Sequence, residues 1–216
     1  MTLFAGHYGS GKTNIAVNYA EYLKGCGHEV TIADLDIVNP YFRTKDSTKR
    51  LSEKGIELIS PEYANSNVDL PALPSSIYGL VEFKNRYAVM DIGGDDRGAY
   101  ALGRFAPYIL GENDYEMIFV ANFCRPLTTT PEEALEVMRE IESAGGIPFT
   151  GIVNNTNLGR ETDAETILGS VEKAEKLSRL SGLPILFTSA EMGVAEKLDI
   201  PDVFPMTLQK RYFDIN

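Results

Sequence analysis

Thr2-Leu3-Phe4-Ala5-Gly6-His7-Tyr8-Gly9-Ser10-Gly11-Lys12-Thr13 decides how this chain is read. Four residues of strand character run directly into a glycine-rich turn. The turn opens a helical segment, Asn14–Lys24, in which Ile15, Tyr19, Tyr22 and Leu23 fall near one face. Gly6, Gly11, Lys12 and Thr13 meet the pattern G-x-x-x-x-G-K-[ST] in full, in the strand–turn–helix context that gives the pattern meaning. Glycines let successive backbone N–H groups turn toward one point, and a helix N-terminus adds the positive end of its dipole. The ligand that suits such a cradle is the phosphate chain of a nucleoside triphosphate. Gly6, Gly9, Ser10, Gly11, Lys12, Thr13 and Asn14 are its expected binding residues. The Lys12 ammonium is expected at the β- and γ-phosphates, and the Thr13 hydroxyl on Mg²⁺.

Working outward, 216 residues suggest one domain over residues 1–216, and 44% hydrophobic content suits a globular core. The formal charge of −11 opposes non-specific nucleic-acid binding, which depends on neutralising phosphates with Lys and Arg. Cys26 and Cys124 form no CxxC pair or ligand-spaced cluster, so neither zinc nor an iron–sulfur group is expected. Reduced thiols fit a cytoplasmic location. No apolar run has the length of a membrane span, and the N-terminus lacks the basic region of a signal peptide. His7 and His28 are the only histidines, which gives no support to a His-based metal or triad site.

Apolar bursts alternate with helical patterns along the rest of the chain. Strands are predicted at Thr2–Ala5, Glu29–Ala33, Ile56–Ile59, Tyr87–Ile92, Met117–Ala121, Phe149–Val153 and Ile185–Thr188. Helices are predicted at Asn14–Lys24, Phe42–Lys54, Tyr78–Phe83, Gly98–Leu110, Pro131–Ala144, Asp163–Ser181 and Glu191–Leu198. Tyr63–Pro74, with Asn65, Asn67, Pro71 and Pro74, reads as a long loop. Strands separated by helix-length segments imply right-handed βαβ units. The expected fold is an α/β three-layer sandwich with a mainly parallel central sheet, the P-loop NTPase class.

Two strand ends carry carboxylates beside the glycine loop. One reads Asp34-Leu35-Asp36-Ile37-Val38-Asn39-Pro40, the other Asp91-Ile92-Gly93-Gly94. Oxygen ligands at such positions suit Mg²⁺ and its water shell. Together with the glycine loop, this arrangement resembles the ParA/MinD-type ATPases of the CobQ/CobB/MinD/ParA superfamily, a branch of the SIMIBI class of P-loop proteins. That branch also holds the arsenite-pump and tail-anchored-protein-targeting ATPases. Asp34–Thr44, Gly93–Phe105 and Val153–Leu158 are further similar to an uncharacterised bacterial and archaeal group of this superfamily. The resemblance implies ATP and Mg²⁺ as cofactors. It places Asp36 in switch I, helping to position the attacking water, and Asp91 at the head of switch II, holding the metal through water. Thr13, Asp36 and Asp91 form the metal set, Lys12 and Asp36 the catalytic pair, and the Gly94 N–H a γ-phosphate donor.

One residue departs from the family pattern. The deviant loop G-K-G-G-x-G-K-[ST] carries an extra lysine that reaches the nucleotide of a dimer partner, and His7 stands in its place. A neutral imidazole supplies no fixed charge at pH 7. Arg43, Arg97, Arg104 and Arg125 are the candidate substitutes, against ordinary surface ion pairs.

The loop Asn154-Asn155-Thr156-Asn157 follows the strand that, in this class, leads to the base. GTPases place an [NT]KxD motif there, whose Asp accepts two hydrogen bonds from guanine. Asn157 stands where that Asp would be and Asn155 where the lysine would be. An amide has one acceptor and one donor group, which suits adenine better. The tail-anchored-targeting branch contacts adenine through an Asn matched by Asn154. Asn154 and Asn155 are therefore expected to bind the base, with Thr188-Ser189-Ala190-Glu191 closing the other side.

These features imply a slow, Mg²⁺-dependent switch ATPase that acts with a protein partner, with a homodimer across the nucleotide face as the family expectation. The sequence leaves a second reading open. Dethiobiotin synthetase, the cobyrinic-acid amide synthetases and several kinases share the superfamily, so an ATP-dependent enzyme acting on a small molecule also fits. A binding module without hydrolysis is disfavoured by the two switch carboxylates. Thr207–Asn216 is too short and mixed for a membrane-targeting amphipathic helix.

Overall fold

A computed structural model describes residues 1–36, 47–60, 79–80, 86–94 and 96–209. Several expectations lie outside these residues. They are the start of the helix predicted from Phe42, the long loop at 63–74, most of the helix predicted at Tyr78–Phe83, and the residues Asn39, Tyr41, Arg43 and Tyr63. The side chain of Arg97 also lies outside them.

The elements run in order as β1 (Thr2–Ala5), α1 (Lys12–Gly25), β2 (Val30–Leu35), α2 (Thr48–Glu53), β3 (Glu57–Ile59), β4 (Tyr87–Ile92), α3 (Asp96–Gly103), α4 (Ala106–Glu112), β5 (Glu116–Ala121), α5 (Pro131–Gly145), β6 (Gly151–Asn154), α6 (Ala164–Ser181), β7 (Ile185–Glu191), α7 (Met192–Ala195) and β8 (Val203–Met206). The eight strands form one sheet in the order β3-β2-β4-β1-β5-β6-β7-β8, and each described pairing is parallel. Parallel neighbours need crossovers, and the helices supply them on both faces. The expected three-layer α/β fold is therefore present.

Strand alternation divides the core in two. Leu3, Ala5, Ala33, Leu35, Met90 and Ile92 face a cluster with Leu102, Phe105, Ile109, Met138, Ile141 and Leu177, under α3 to α6. Phe4, Ile32, Val89, Ile118 and Val120 face the other way, onto Ile15, Ala16, Ala20 and Leu23 of α1 and Leu51 of α2. The second face is the one that matters for the site. By the same alternation it also carries Asp34 and Asp91, which are direct register partners on β2 and β4.

The helices that frame the sheet start where local chemistry starts them. Thr130 caps α5 in a reciprocal capping box with Glu133, and Pro131 takes the first helical position. Asp163 accepts from the Thr166 N–H at 2.8 Å and caps α6. Arg50 of α2 donates to the Glu21 carboxylate of α1, and Lys54 does so at 2.8 Å, tying the two helices together.

Beyond shifts at element ends, the structure corrects the predicted elements at two places. The single helix predicted at Gly98–Leu110 is two helices, because Pro107 lacks an N–H and begins a new one. β8 was not predicted. It contains Pro205, which a strand tolerates only where no partner needs its N–H, and β8 lies at the sheet edge. Among the described residues no helix is long and apolar enough to cross a membrane.

Candidate functional site

The carboxyl ends of β1, β2, β4, β5 and β6 open on one edge of the sheet. Strand order reverses around β1 there, the position where open α/β sheets form a crevice. The turn after β1 is built on glycine for three separate reasons. Gly9 and Gly11 have φ of 75° and 92°, in the left-handed region. A Cβ on Gly6 would stand 2.5 Å from the backbone oxygen of Val120, so only glycine lets β1 leave the sheet beside β5. A Cβ on Gly11 would strike the side-chain amide of Asn155. The Ser10 N–H donates to the His7 carbonyl at 3.1 Å, and the Ile15 N–H to that of Gly11, closing the turn and starting α1.

Gly11 caps α1 without a side chain, so the first N–H groups of the helix are not bound by one. The Ser10 hydroxyl is buried and has no hydrogen-bond partner among the described residues. Lys12 is 5% exposed, and its ammonium donates to the His7 carbonyl at 3.2 Å. Thr13 is buried beside it. Helix-start N–H groups, an orphaned hydroxyl and a buried cation form a donor set that fits a phosphate group. The side chain of Asn14 turns elsewhere. Its carbonyl oxygen accepts from the Gln209 N–H at 3.1 Å, so only its backbone remains for the cradle.

The carboxylates meet this loop from the β2–β4 flank. Asp34 accepts from the Asp36 N–H at 3.0 Å, which turns the chain at the end of β2. Asp36 and Asp91 are both buried. A Cβ on Gly93 would lie 3.4 Å from Asp36 Oδ1, and one on Gly98 would lie 2.5 Å from the Gly93 Cα. The start of α3 can close on the end of β4 only because both residues are glycine. Gly94 sits on the loop itself, where a Cβ would be 2.6 Å from Lys12 Nζ and 2.8 Å from the Tyr8 nitrogen. Lys12, Gly94 and, beside Gly93, Asp36 thus meet at one corner. No group of three or more His, Cys, Asp or Glu side chains there or elsewhere is placed to hold a metal alone among the described residues. A Mg²⁺ at this corner would share its ligands between Thr13, carboxylate-held water and phosphate oxygens, the usual arrangement for that ion.

His7 is held below its ordinary pKa of 6.5, first by burial and then by the Lys12 charge, with Glu140 acting in the opposite direction. It is a neutral imidazole at pH 7, and it adds no cation to the loop.

The asparagines of the β6 turn are placed differently from expectation. β6 runs one residue further than predicted and ends at Asn154, which is fully buried. Its amide donates to Ser170 Oγ of α6 at 2.8 Å and accepts from Thr156 Oγ1 at 2.8 Å, so it is engaged inside the protein. Asn155 donates to the Ser10 carbonyl at 2.6 Å and accepts from Ser189 Oγ at 2.6 Å, supporting the glycine loop from behind. Asn157 donates to the Asn155 carbonyl and accepts from the Gly159 N–H. Ser189 therefore closes this side of the site through Asn155. Of the candidate arginines, Arg104 is exposed at the turn between α3 and α4, and Arg125 donates from Nε to the Gly9 carbonyl at 3.0 Å. Asn122 escaped the sequence reading. It follows β5 fully buried and bridges to the β6 turn, and only its place immediately after an apolar strand hinted at a role.

No protein-family model and no curated protein matches the chain. Solved structures do. FtsY from Thermotoga maritima is 17% identical, with 88% of this chain and 61% of that chain covered and a TM-score of 0.62. FtsY from Mycoplasma mycoides is 16% identical, with 87% and 59% covered and a TM-score of 0.58. The Signal Recognition Particle 54 kDa protein from Aeropyrum pernix K1, in complex with GDP, is 16% identical, with 87% and 40% covered and a TM-score of 0.53. The chain shares with them the α/β fold of P-loop NTPases, a parallel sheet with helices on both faces. At this identity the likeness concerns the fold alone, and it does not single out the ParA/MinD branch. The chain spans about three-fifths of the length of the FtsY structures it matches.

Proposed function

We propose that this chain binds Mg²⁺ and a nucleoside triphosphate, ATP, at Gly6–Thr13 and hydrolyses it slowly as a switch that acts with a protein partner. The observation that carries the reading is the corner where the buried Lys12 ammonium, the Gly94 backbone and the carboxylate-bearing ends of β2 and β4 meet the glycine loop. When phosphates enter, Lys12 exchanges the His7 carbonyl for phosphate oxygens. The N–H groups from Gly9 to Asn14 line the rest of the chain of phosphates. Mg²⁺, when bound, neutralises phosphate charge and orders the oxygens around it. Asp36 orients the attacking water, and the Gly94 N–H donates to the γ-phosphate. Hydrolysis releases Gly94 and Asp36, which lets the segments that follow them move.

ATP is preferred over GTP because residues 154–157 contain no carboxylate to accept two hydrogen bonds from guanine, and the Asn157 amide is engaged within its own turn. A homodimer across the nucleotide face would need a cation other than His7. The deciding experiment is a competition titration of ATP against GTP on the intact chain with Mg²⁺, with Lys12→Ala as the control. Tight ATP binding that is lost in Lys12→Ala supports the proposal. Equal or tighter GTP binding overturns the choice of base, and no nucleotide binding overturns the whole reading.

A further inference from the structure

The turn after β5 and the turn after β6 are bonded into one platform. The Asn122 side chain donates to the Asn157 carbonyl at 3.2 Å and accepts from the Asn157 N–H at 3.3 Å. The Phe123 N–H donates to Thr156 Oγ1 at 3.2 Å, and the Asn155 N–H to the Ala121 carbonyl at 2.8 Å. Each turn then sends one side chain to the glycine loop. Asn155 takes the Ser10 carbonyl and Arg125 takes the Gly9 carbonyl, so the platform grips consecutive peptides.

This grip lies on one flank of β1. Strand order puts β5 and β6 on that side and β4 and β2 on the other. The Lys12 ammonium, Gly94 and Asp36 all belong to the β4–β2 side, where the terminal phosphate must lie if the loop holds a triphosphate. The phosphate chain therefore leaves the loop toward the β5–β6 platform, and the nucleoside follows it there. Arg125 stands at that exit and not at the γ-phosphate.

The Arg125 side chain is held ready for a ligand. Its backbone N–H donates to the Asn122 carbonyl at 3.1 Å, and its own carbonyl accepts from the Thr128 N–H at 3.2 Å. Leu127 takes a φ of 65°, a left-handed conformation unusual for a leucine, so the turn is tightly determined. The residue is partly buried. Beyond the Nε bond to Gly9, its two terminal nitrogens have no partner among the described residues. One end of a planar cation is anchored and the other is unused.

We infer that Arg125 is a nucleoside-binding residue, whose guanidinium plane packs on the purine ring of the nucleotide held by the glycine loop. This rests on the proposal that the loop binds a nucleotide. A guanidinium stacks on aromatic rings through its face while its edge still donates hydrogen bonds, and the Gly9 contact uses the edge. The contact involves the base, so it is the same for a diphosphate and a triphosphate and absent for phosphate chains alone.

The test is calorimetric titration of the intact chain and of Arg125→Ala with Mg²⁺-ATP, Mg²⁺-ADP and Mg²⁺-tripolyphosphate. Arg125→Ala is expected to weaken ATP and ADP by the same factor, about 2- to 30-fold. Tripolyphosphate affinity is expected to fall by less than either nucleotide affinity, and its retention also reports that the loop is folded. Loss of tripolyphosphate binding would show that Arg125 only braces the loop and would overturn the inference. So would a loss confined to ATP, which would put Arg125 at the γ-phosphate, or no change with any ligand. If the wild-type chain bound neither ATP nor tripolyphosphate, the loop reading itself would fall, and this inference with it. A wild type that binds both isolates the question of Arg125.

Discussion

Gly94 lies against Lys12 so closely that a Cβ on the glycine would stand 2.6 Å from the lysine Nζ. The same Cβ would be 2.8 Å from the Tyr8 nitrogen and 3.0 Å from the Gly6 oxygen, both backbone atoms that cannot swing aside. Gly94→Ala therefore pushes the turn after β4 away from the loop. Turnover is expected to fall about 10- to 100-fold, as it does for small misplacements of positioning groups, with the far-ultraviolet circular dichroism unchanged. Wild-type turnover in Gly94→Ala would refute a role for this close approach.

Asp91 is fully buried on the face of the sheet that carries α1, and it is the register partner of Asp34. Replacing it by Asn keeps the shape and removes the charge. If Asp91 holds Mg²⁺ through water, the Mg²⁺ concentration for half-maximal hydrolysis should rise about 10- to 100-fold, the usual cost of an outer-sphere change. Nucleotide binding without Mg²⁺ should not weaken, because a negative charge near the phosphates has gone. A Mg²⁺ dependence unchanged from wild type would assign Asp91 to structure alone.

Asn155 supports the loop through two buried hydrogen bonds of 2.6 Å, to Ser10 and from Ser189. Asn155→Ala leaves the Ser10 carbonyl and the Ser189 hydroxyl without this partner in a dry environment. Each buried polar group left unsatisfied costs about 1–3 kcal/mol. Urea denaturation should show a loss of at least about 1 kcal/mol, and a loss below about 0.5 kcal/mol would contradict the geometry.

His7 links stability to pH. Its folded pKa lies below 6.5, through burial first and Lys12 second, so between that lowered value and 6.5 the unfolded chain binds more protons. The contribution is fully present above pH 6.5 and is lost as the pH falls through the folded value. His7→Asn should flatten this segment of the stability curve when denaturant midpoints are compared between about pH 5 and 7.5. The imidazole is only partly buried, so solvent screening keeps the effect small. A wild-type curve that rises on acidification through this range would reverse the assignment.

The glycine turn between β1 and α1 was legible in the sequence because its causes are local. Glycines at fixed spacing, a preceding apolar strand and a following amphipathic helix lie within about two dozen consecutive residues, and the predicted and observed limits of β1 and β4 coincide. Alternation along β4 likewise carried enough to put Asp91 on the α1 face once the strand was known. β8 was hidden because Pro205 argues against a strand unless the strand is an edge, and edge position is a property of the whole sheet.

The residues that flank the cradle needed the folded chain. Asn154 was expected at the base, but β6 extends one residue further, and a single step in a strand turns a side chain to the other face. It turns Asn154 inward to Ser170 and leaves Asn155 facing Ser10. Arg125 was one arginine among four candidates until the bonds between Asn122, Asn157 and Thr156 joined the two turns beside Gly9. Spacing along the chain specified the shape of the loop after β1, because a strand, a turn and a helix are set by neighbours. Which groups stand around that loop, and on which flank, came from strand order and register, because those contacts join residues from tens to more than a hundred positions apart.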